Sequence, residues 1–504
     1  PPLSDAISDH RLVLVGRGPA GPPFWRCSGA ESATERRNFG SPARTGRAWW
    51  RVDPSILSGL TDLLDLARDL AARAEPGEEV EAYVARSTSL SAKAYEGEVE
   101  AFTSAESFGV GIRVVRDHRQ GFASAGTFDP AVLADTLTEA RDNATYAEPD
   151  EWAGLVEPDG VEPPVMDLWR DDLAATSTEA KVQLALDLEA AVRAADPRIF
   201  GVRSASYGEN AGEAAVASSR GLAVGSAGTS CSLSVSALAK DGDDTQIGGG
   251  STVGRGFADL DPSEALDDAV LRATRLLGAK QPPTARLTIV LEPRLAGTLL
   301  GIAGGTLTGD RVLKGRSPFA DRVGETIASP LLTLADDPTD PESWGADAHD
   351  GEGLATRRNA LIENGVLQGF LHDGYSGRRS GTASTGSAVR GSRSTPSAGT
   401  QALVLNAGDR SPEDLLAEVE LGLFVASLNG LHSGVNPVSG DFSVGADGLM
   451  IRDGALAEPV REITLASTLQ RLLLGVRAVG DDLDRRYNVV APTLVIDDVS
   501  ISGR

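Results

Sequence analysis

Two Asp-Pro pairs constrain this chain more than any other feature. Asp129-Pro130 and Asp261-Pro262 each follow a long strand-like stretch, and each opens a run with helical spacing. Aspartate is a strong N-cap, and proline suits the first helical turn, where its missing amide hydrogen has no partner to lose. Leu133, Leu137, Ala140 and Ala144 give the first helix a buried stripe. Leu266, Ala269, Val270 and Ala273 do the same for the second, with Gly278 expected as its C-cap. Strands followed by an Asp-Pro-capped helix therefore occur twice, a hint of internal duplication.

The remaining segments fit around these two units. Leu60, Leu63, Leu64, Ala67, Leu70 and Ala71 mark one face of an earlier helix, which Pro76-Gly77 stops. Val80 to Ala125 reads as strands, with a hairpin turn at Glu96-Gly97. Glu148 to Asp171 is Pro-rich and acidic and reads as a connector. Leu184, Leu188, Ala191 and Ala195 predict a helix ending at Asp196-Pro197, and Phe200 to Phe257 is again strand-like. Gln281-Pro282-Pro283 is the best domain boundary. It separates an α+β domain over 52–280 from a β-rich domain over 285–504, and the latter holds a Ser411-Pro412-capped helix. A late helix is expected to carry Leu469, Leu472, Leu473, Val476 and Val479 on one face. Strands and helices do not alternate regularly, so the class is α+β rather than a doubly wound sheet. Its N-terminal region is expected to combine a mixed sheet with helices. Ser380 to Thr400, rich in Gly, Ser and Thr, is either a flexible loop at a cleft or a plain surface loop.

Composition excludes several functions. The net charge is −25, and no basic run matches a phosphate backbone, so direct nucleic-acid binding is not expected. No stretch approaches the ~20 apolar residues of a membrane span. Cys27 and Cys231 make no disulfide framework, which suits a reducing compartment, hence the cytoplasm. Residues 1–51 stand apart. They hold eight arginines, no lysine and four acids, a charge of +4 that leaves −29 for the rest. With no periodicity, this segment is expected to be a disordered or extraneous extension.

Few residues offer chemistry. The five histidines are His10, His118, His349, His372 and His432, and no two sit at a metal-ligand spacing. His118 belongs to a turn between strands. His349 stands in an acidic run and has Asp347, Asp350 and Glu352 available around a cation, although loop acids are more often simply solvated. His432-Ser433 with Asp441 invites a hydrolase reading. On a strand, however, neighbours point to opposite faces, and no G-x-S-x-G elbow is present. The region Gly430 to Gly448 is therefore expected to be structural, with Asp441 bonded to loop amides. The Gly-rich Ile302–Thr306 lacks P-loop spacing. Its small residues suit close approach of a partner or substrate strand, or a helix.

Four stretches carry a resemblance. They are VEAFTSAESFGVGIRVV (Val99–Val115), LLGIAGGTLTGDRVLK (Leu299–Lys314), NALIENGVLQGFLHDGYSGRR (Asn359–Arg379) and GLHSGVNPVSGDFSVGADGLMIRDG (Gly430–Gly454). In this order they resemble segments of the TldD/PmbA family, also called the modulator of DNA gyrase family. The resemblance runs from about Glu81 to about Leu483 and implies a two-domain TldD/PmbA-like fold with a metalloprotease-like C-terminal domain. Catalytic members carry HExxxH followed by a Gly-Asp pair. With Gly309-Asp310 aligned to that pair, the motif positions fall on Leu300, Gly301 and Gly305, none of them a ligand or a base. Catalytic members also supply a late cysteine, and no cysteine follows Cys231 here. The resemblance thus implies a PmbA (TldE) type of subunit with no catalytic residue, metal or cofactor of its own. A TldD-type partner would hold the zinc, and the substrates would be unfolded peptides or modified-peptide precursors. It also puts His432, Ser433, Gly434, Asn436, Gly440 and Asp441 near the peptide cleft. Two alternatives stay open: a stand-alone scaffold or peptide-binding protein, and an autonomous hydrolase using the His349 or His432 neighbourhood.

Overall fold

A computed structural model describes residues 56–503; the 1–51 segment, with His10 and Cys27, lies outside them. The first layer is one antiparallel sheet of long strands: β1 (Glu78–Tyr95), β2 (Glu98–Arg116), β3 (Arg119–Ala125), β4 (Ile199–Ser218), β5 (Ala223–Asp241) and β6 (Asp244–Gly254). Their spatial order is β3-β2-β1-β4-β5-β6. Glu96-Gly97 makes the expected hairpin turn, with both residues at positive φ. His118 lies in the next turn, also at positive φ.

Helices cover one face of this sheet. They are α1 (Ile56–Ala71), α2 (Pro130–Tyr146), the single turn α3 (Asp172–Ala175), α4 (Thr178–Ala195) and α5 (Pro262–Thr274). Asp129 caps α2 by accepting from the Ala131 and Val132 amides, and Asp261 caps α5 by accepting from Ser263. The two Asp-Pro helices sit on opposite edge strands. Gly121 in β3 and Gly250 in β6 make this seating possible, because a Cβ at either position would collide with the carbonyl of Ala140 or Ala265. The repeat suspected from sequence is thus a pair of three-strand meanders, each with its helix on the outer strand.

Three helix expectations need correction. The buried stripe of α4 is Lys181, Ala185, Leu188 and Val192, while Ala191 and Ala195 are exposed. The helix turns to bury Lys181, which donates to the Leu173 carbonyl at 2.6 Å and pairs with Glu209 at 2.7 Å. A buried ion pair outweighs two alanines in fixing the face. Gly278 has φ +76 but stands beyond the true C-cap, Arg275, and closes a further turn. The late helix stops at Leu474, and Val476–Val479 is a strand whose two valines are both buried, three apart, across a register shift against β19.

The C-terminal region contains the mixed sheets. Its larger sheet orders β16-β15-β14-β7-β19-β17, and β16 also pairs with β19, so the sheet curls into a barrel. These strands are β7 (Ala285–Leu291), β14 (Leu421–Asn429), β15 (Asp441–Arg452), β16 (Ala455–Thr468), β17 (Val476–Val479) and β19 (Leu494–Ser502); β7 and β14 run parallel. A smaller sheet joins β10 (Val366–Leu367), β9 (Asn359–Glu363), β8 (Leu334–Asp336), β13 (Leu403–Leu405) and β18 (Val489–Val490). The Gly/Ser/Thr-rich stretch is an ordered hairpin, β11 (Ala388–Val389) with β12 (Ser397–Ala398), rather than a plain surface loop. Helices α6 (Pro293–Gly305), α7 (Gly309–Leu313), α8 (Gly374–Ser380), α9 (Pro412–Ala417), α10 (Leu431–Gly434) and α11 (Leu469–Leu474) fill the gaps. Ser411 caps α9 as its sequence predicts. One large apolar core unites α6 with both C-terminal sheets.

Candidate functional site

Strand alternation gives the N-terminal sheet two unlike faces. Val80, Ala82, Val84, Val110, Ile112 and Val114 pack under the helices. Glu81, Tyr83, Gly109, Gly111 and Arg113 therefore face the C-terminal region. Between them and that region runs a groove of about 1000 Å³, floored by small residues of β1, β2, β4 and β5 and walled by Trp344, Ser392, Arg393 and Asn488. The tip of the β11–β12 hairpin lies so close to the floor that a Cβ on Gly109 or Gly111 would strike Ser392. Arg255 closes one side. It donates to the Ser343 carbonyl at 2.6 Å and lies 5.4 Å over the Trp344 ring.

A buried charge cluster holds the groove shut at its inner end. Arg113 donates in two-pronged fashion to Glu81, at 3.1 and 2.6 Å, and reaches Glu352 at 3.2 Å. Arg390 from the hairpin pairs with the same Glu81. Glu352 also accepts from the Gly374 amide at 2.7 Å, at the start of α8. Burial alone would raise Glu81, but Arg113 and Arg390 hold it below the usual carboxylate range. Beside this cluster the groove deepens into an inner cavity of about 200 Å³, lined by Tyr83, Asp347, His349, Asp350, Arg390 and Gln401 among others.

The acidic run is thus neither solvated nor a cation site. Asp350 and Glu352 are buried, and Asp350 accepts from the amides of Glu352, Leu354 and Ala388. Burial, with Glu352 nearby, pushes Asp350 up to about 7. His349 is pulled below its ordinary value by burial, against the opposing pull of Asp347. His372 is buried against Ser376 at 3.2 Å, a structural contact that anchors α8.

The His432 segment is a one-turn helix, not a strand. Gly430 enters it at φ +72, a backbone state that glycine adopts freely. His432 and Ser433 are exposed, and the Ser433 hydroxyl donates to the Gly430 carbonyl at 3.2 Å. The Asp441 carboxylate accepts from the Ser439 hydroxyl at 2.7 Å, and its main-chain carbonyl accepts from the Asn436 amide at 2.9 Å. Asn436 accepts from the Val438 amide at 2.9 Å, and a Cβ on Gly434 or Gly440 would meet Ser443 or Gln470. These six residues form a tight surface turn at the end of β14 and do not line the groove described above.

The HExxxH-like positions all lie on α6. Leu300 is 1% exposed and belongs to the core. A Cβ on Gly301 would stand 3.4 Å from Val489, and a Cβ on Gly304 would press into Leu403. The strands that approach these small residues are the chain's own β18 and β13. Gly305 alone opens into free space. Zinc requires about three nitrogen, sulfur or oxygen ligands, and these side chains offer none, so the helix does not fit the metal. Among the described residues no group of three or more His, Cys, Asp or Glu is placed to hold one.

Glu81, Arg113 and Arg390 of the charge cluster, and Arg255 and Trp344 of the groove wall, carry no motif in the sequence. A trace existed: Glu81 and Arg113 interrupt apolar strands, where a charge needs a buried partner.

An antiparallel sheet under helices, facing a β-barrel domain across a groove, defines a class of two-region α+β proteins with a cleft between the regions. The domain models of the PmbA/TldA metallopeptidases match in series, domain 1 at residues 80–144, the central domain at 171–277 and the C-terminal domain at 284–503. The chain belongs to the PmbA/TldD metallopeptidase family. It is 30% identical over 448 residues to the metalloprotease PmbA of Escherichia coli O157:H7, covering 88% of this chain and 96% of that one. It is 27% identical to a metalloprotease TldD homologue of Haemophilus influenzae, over 78% and 86% of the two chains. The crystal structure of TldE from Thermococcus kodakarensis superposes with a TM-score of 0.79 at 26% identity, covering 88% of this chain and all of that one. No helix among the described residues is long and apolar enough to cross a membrane.

Proposed function

We propose that this chain is the non-catalytic subunit of a heteromeric TldD/TldE-type zinc metalloprotease. In the cytoplasm it would act with a TldD-type partner on unfolded peptides or modified-peptide precursors. The observation that carries this reading is α6: Leu300 is locked in the core, Gly301 lies under Val489, and Gly305 has no side chain. The partner brings the zinc, its ligands and the base that activates water. This chain brings the groove, whose small-residue floor gives an extended peptide room to lie. With a net charge of −25, its surface suits a peptide partner rather than nucleic acid.

The test is cleavage of an unstructured peptide by each subunit alone and by the mixture, with and without chelator. Cleavage by the mixture only, abolished by chelator, is expected. Chelator-resistant cleavage by this chain alone would overturn the reading in favour of an autonomous hydrolase.

A further inference from the structure

We infer that the inner cavity is a carboxylate-binding subsite at the blind end of the groove, with Arg390 as its fork. The inference deepens the reading of the groove as a peptide site and rests on it.

The Arg390 side chain is completely buried, and two interactions fix it. One end of its guanidinium pairs with Glu81, and its central carbon lies 5.1 Å over the Tyr83 ring. The other edge, Nε and Nη2, is buried with no partner among the described residues. These two N–H groups point in parallel from one edge of a rigid plane, the geometry that matches both oxygens of a carboxylate. A buried charged donor left unpaired is costly, so an acceptor belongs there.

Two more orphaned polar atoms belong to the same cavity lining. The His349 Nδ1 and the Gln401 Oε1 are both buried without a partner. The imidazole donates from Nδ1 in the appropriate tautomer, and a half-turn of the Gln401 amide replaces its oxygen with an NH₂ donor. Three residues from separate segments thus line one cavity with buried, unpartnered polar atoms, the setting an acceptor-rich guest would satisfy. The volume of about 200 Å³ holds a carboxylate and a short stem, since each liquid water takes about 30 Å³. Tyr83, Ala214, Ser226 and Asp347 line both the cavity and the groove, so the carboxylate enters on a chain lying in the groove.

The facing acids do not cancel the fork. Glu81 is matched by Arg113 as well as by Arg390. Asp347 already accepts from the His349 amide and Asp350 from three amides, and burial raises both acids, Asp350 to about 7. Glu352 stands behind them, held by Arg113 and the Gly374 amide.

The guest is either a peptide's terminal carboxylate or an Asp/Glu side chain, and one experiment separates them. The full chain is titrated calorimetrically, at fixed salt, with four versions of one unstructured octapeptide: free acid or amide at the C-terminus, with Glu or Gln at one internal position. A carboxylate-bearing version should bind about tenfold or more tighter than the doubly neutral one, and whichever version gains identifies the source. Arg390→Lys keeps the charge but loses the fork and should cut the advantage to under about twofold. His349→Ala, which breaks no ion pair, should also reduce it and serves if the lysine variant fails to fold. Equal binding of all four peptides, or an advantage that survives both variants, overturns the inference. The same peptides are then offered to the mixed zinc-dependent enzyme. Cleavage with no discrimination removes the subsite alone, whereas discrimination with no cleavage removes the subunit reading and leaves the subsite.

Discussion

Arg113 in β2 donates to Glu352, 239 positions further along the chain, at 3.2 Å. The same guanidinium grips Glu81 beside it in the sheet, so one buried side chain bridges an acid from each region. Removing one partner of a buried pair strands the other charges, which costs about 3–5 kcal/mol. Arg113→Ala should lose stability on that scale in denaturant unfolding. A loss below about 1 kcal/mol would mean that water screens the cluster as it screens a surface ion pair.

Asp336 offers a pH test. Its Oδ1 accepts from the amides of Gln401 and Ala402, but its Oδ2 is buried without a partner. Burial pushes the group up from 3.8 to about 6. The folded chain therefore keeps this proton where the unfolded chain has lost it. The contribution is stabilising below about pH 4 and is lost as the pH rises through about 6. At about 1.4 kcal/mol per tenfold in proton affinity, the full swing is on the order of 3 kcal/mol. Asp336→Asn keeps an acceptor for both amides and should flatten the stability profile between pH 4 and 7. A variant whose profile parallels the wild type would rule this assignment out.

Rebuilding the metal motif should fail unevenly. Leu300→His puts an imidazole into a packed core and should cost about 3 kcal/mol or more. Gly305→His projects into open space and should change stability by less than about 1 kcal/mol. With Gly301→Glu added, the triple variant should melt well below wild type and take up no stoichiometric zinc. Elemental analysis finding about one tightly held zinc per chain, with a raised melting temperature, would contradict the packing described for α6.

Cys231 should be inert in the folded chain. Its thiol donates to the Gly256 carbonyl at 3.1 Å, and burial, with Glu209 and Asp259 nearby, pushes it up to about 12. Only the thiolate reacts, so labelling at pH 8 should be on the order of 100-fold slower than in denaturant. Peptide mapping by mass spectrometry reads this site separately from Cys27. Comparable rates in both states would place the thiol at the surface.

The sequence made some parts of the molecule legible and hid others. Asp129 and Asp261 announced their helices because a cap is a local hydrogen bond, complete within three residues. The four-residue stripe of α2 was equally plain, since one face meets one sheet. The rotation of α4 was hidden, because it depends on Glu209 in a strand that follows the helix. Val476 and Val479 kept helical spacing although they form a strand; over four residues the two periods cannot be told apart. The loss of ligands at Leu300, Gly301 and Gly305 could be read directly. The cavity could not, because Tyr83, His349, Arg390 and Gln401 are brought together only by tertiary packing.

Within each half of the order β3-β2-β1-β4-β5-β6, every strand pairs with its neighbour in sequence. Only the seam between β1 and β4 joins strands separated by several other elements. Hairpins close quickly, while distant pairing pays a loop-closure entropy before any contact repays it. Loop-closure entropy thus favours pairing within each meander before pairing at the seam. A chain caught before that step would present two bare strand edges, the kind that recruit other chains. Where the seam pairs Ser87 with Gly212, Thr88 with Ala211 and Ser89 with Asn210, those edges carry hydroxyls, an amide and a glycine instead of large apolar groups. Over these three pairs the bare edges would offer another chain little apolar surface, so the exposed risk is confined to the flanking pairs such as Tyr83 with Val216.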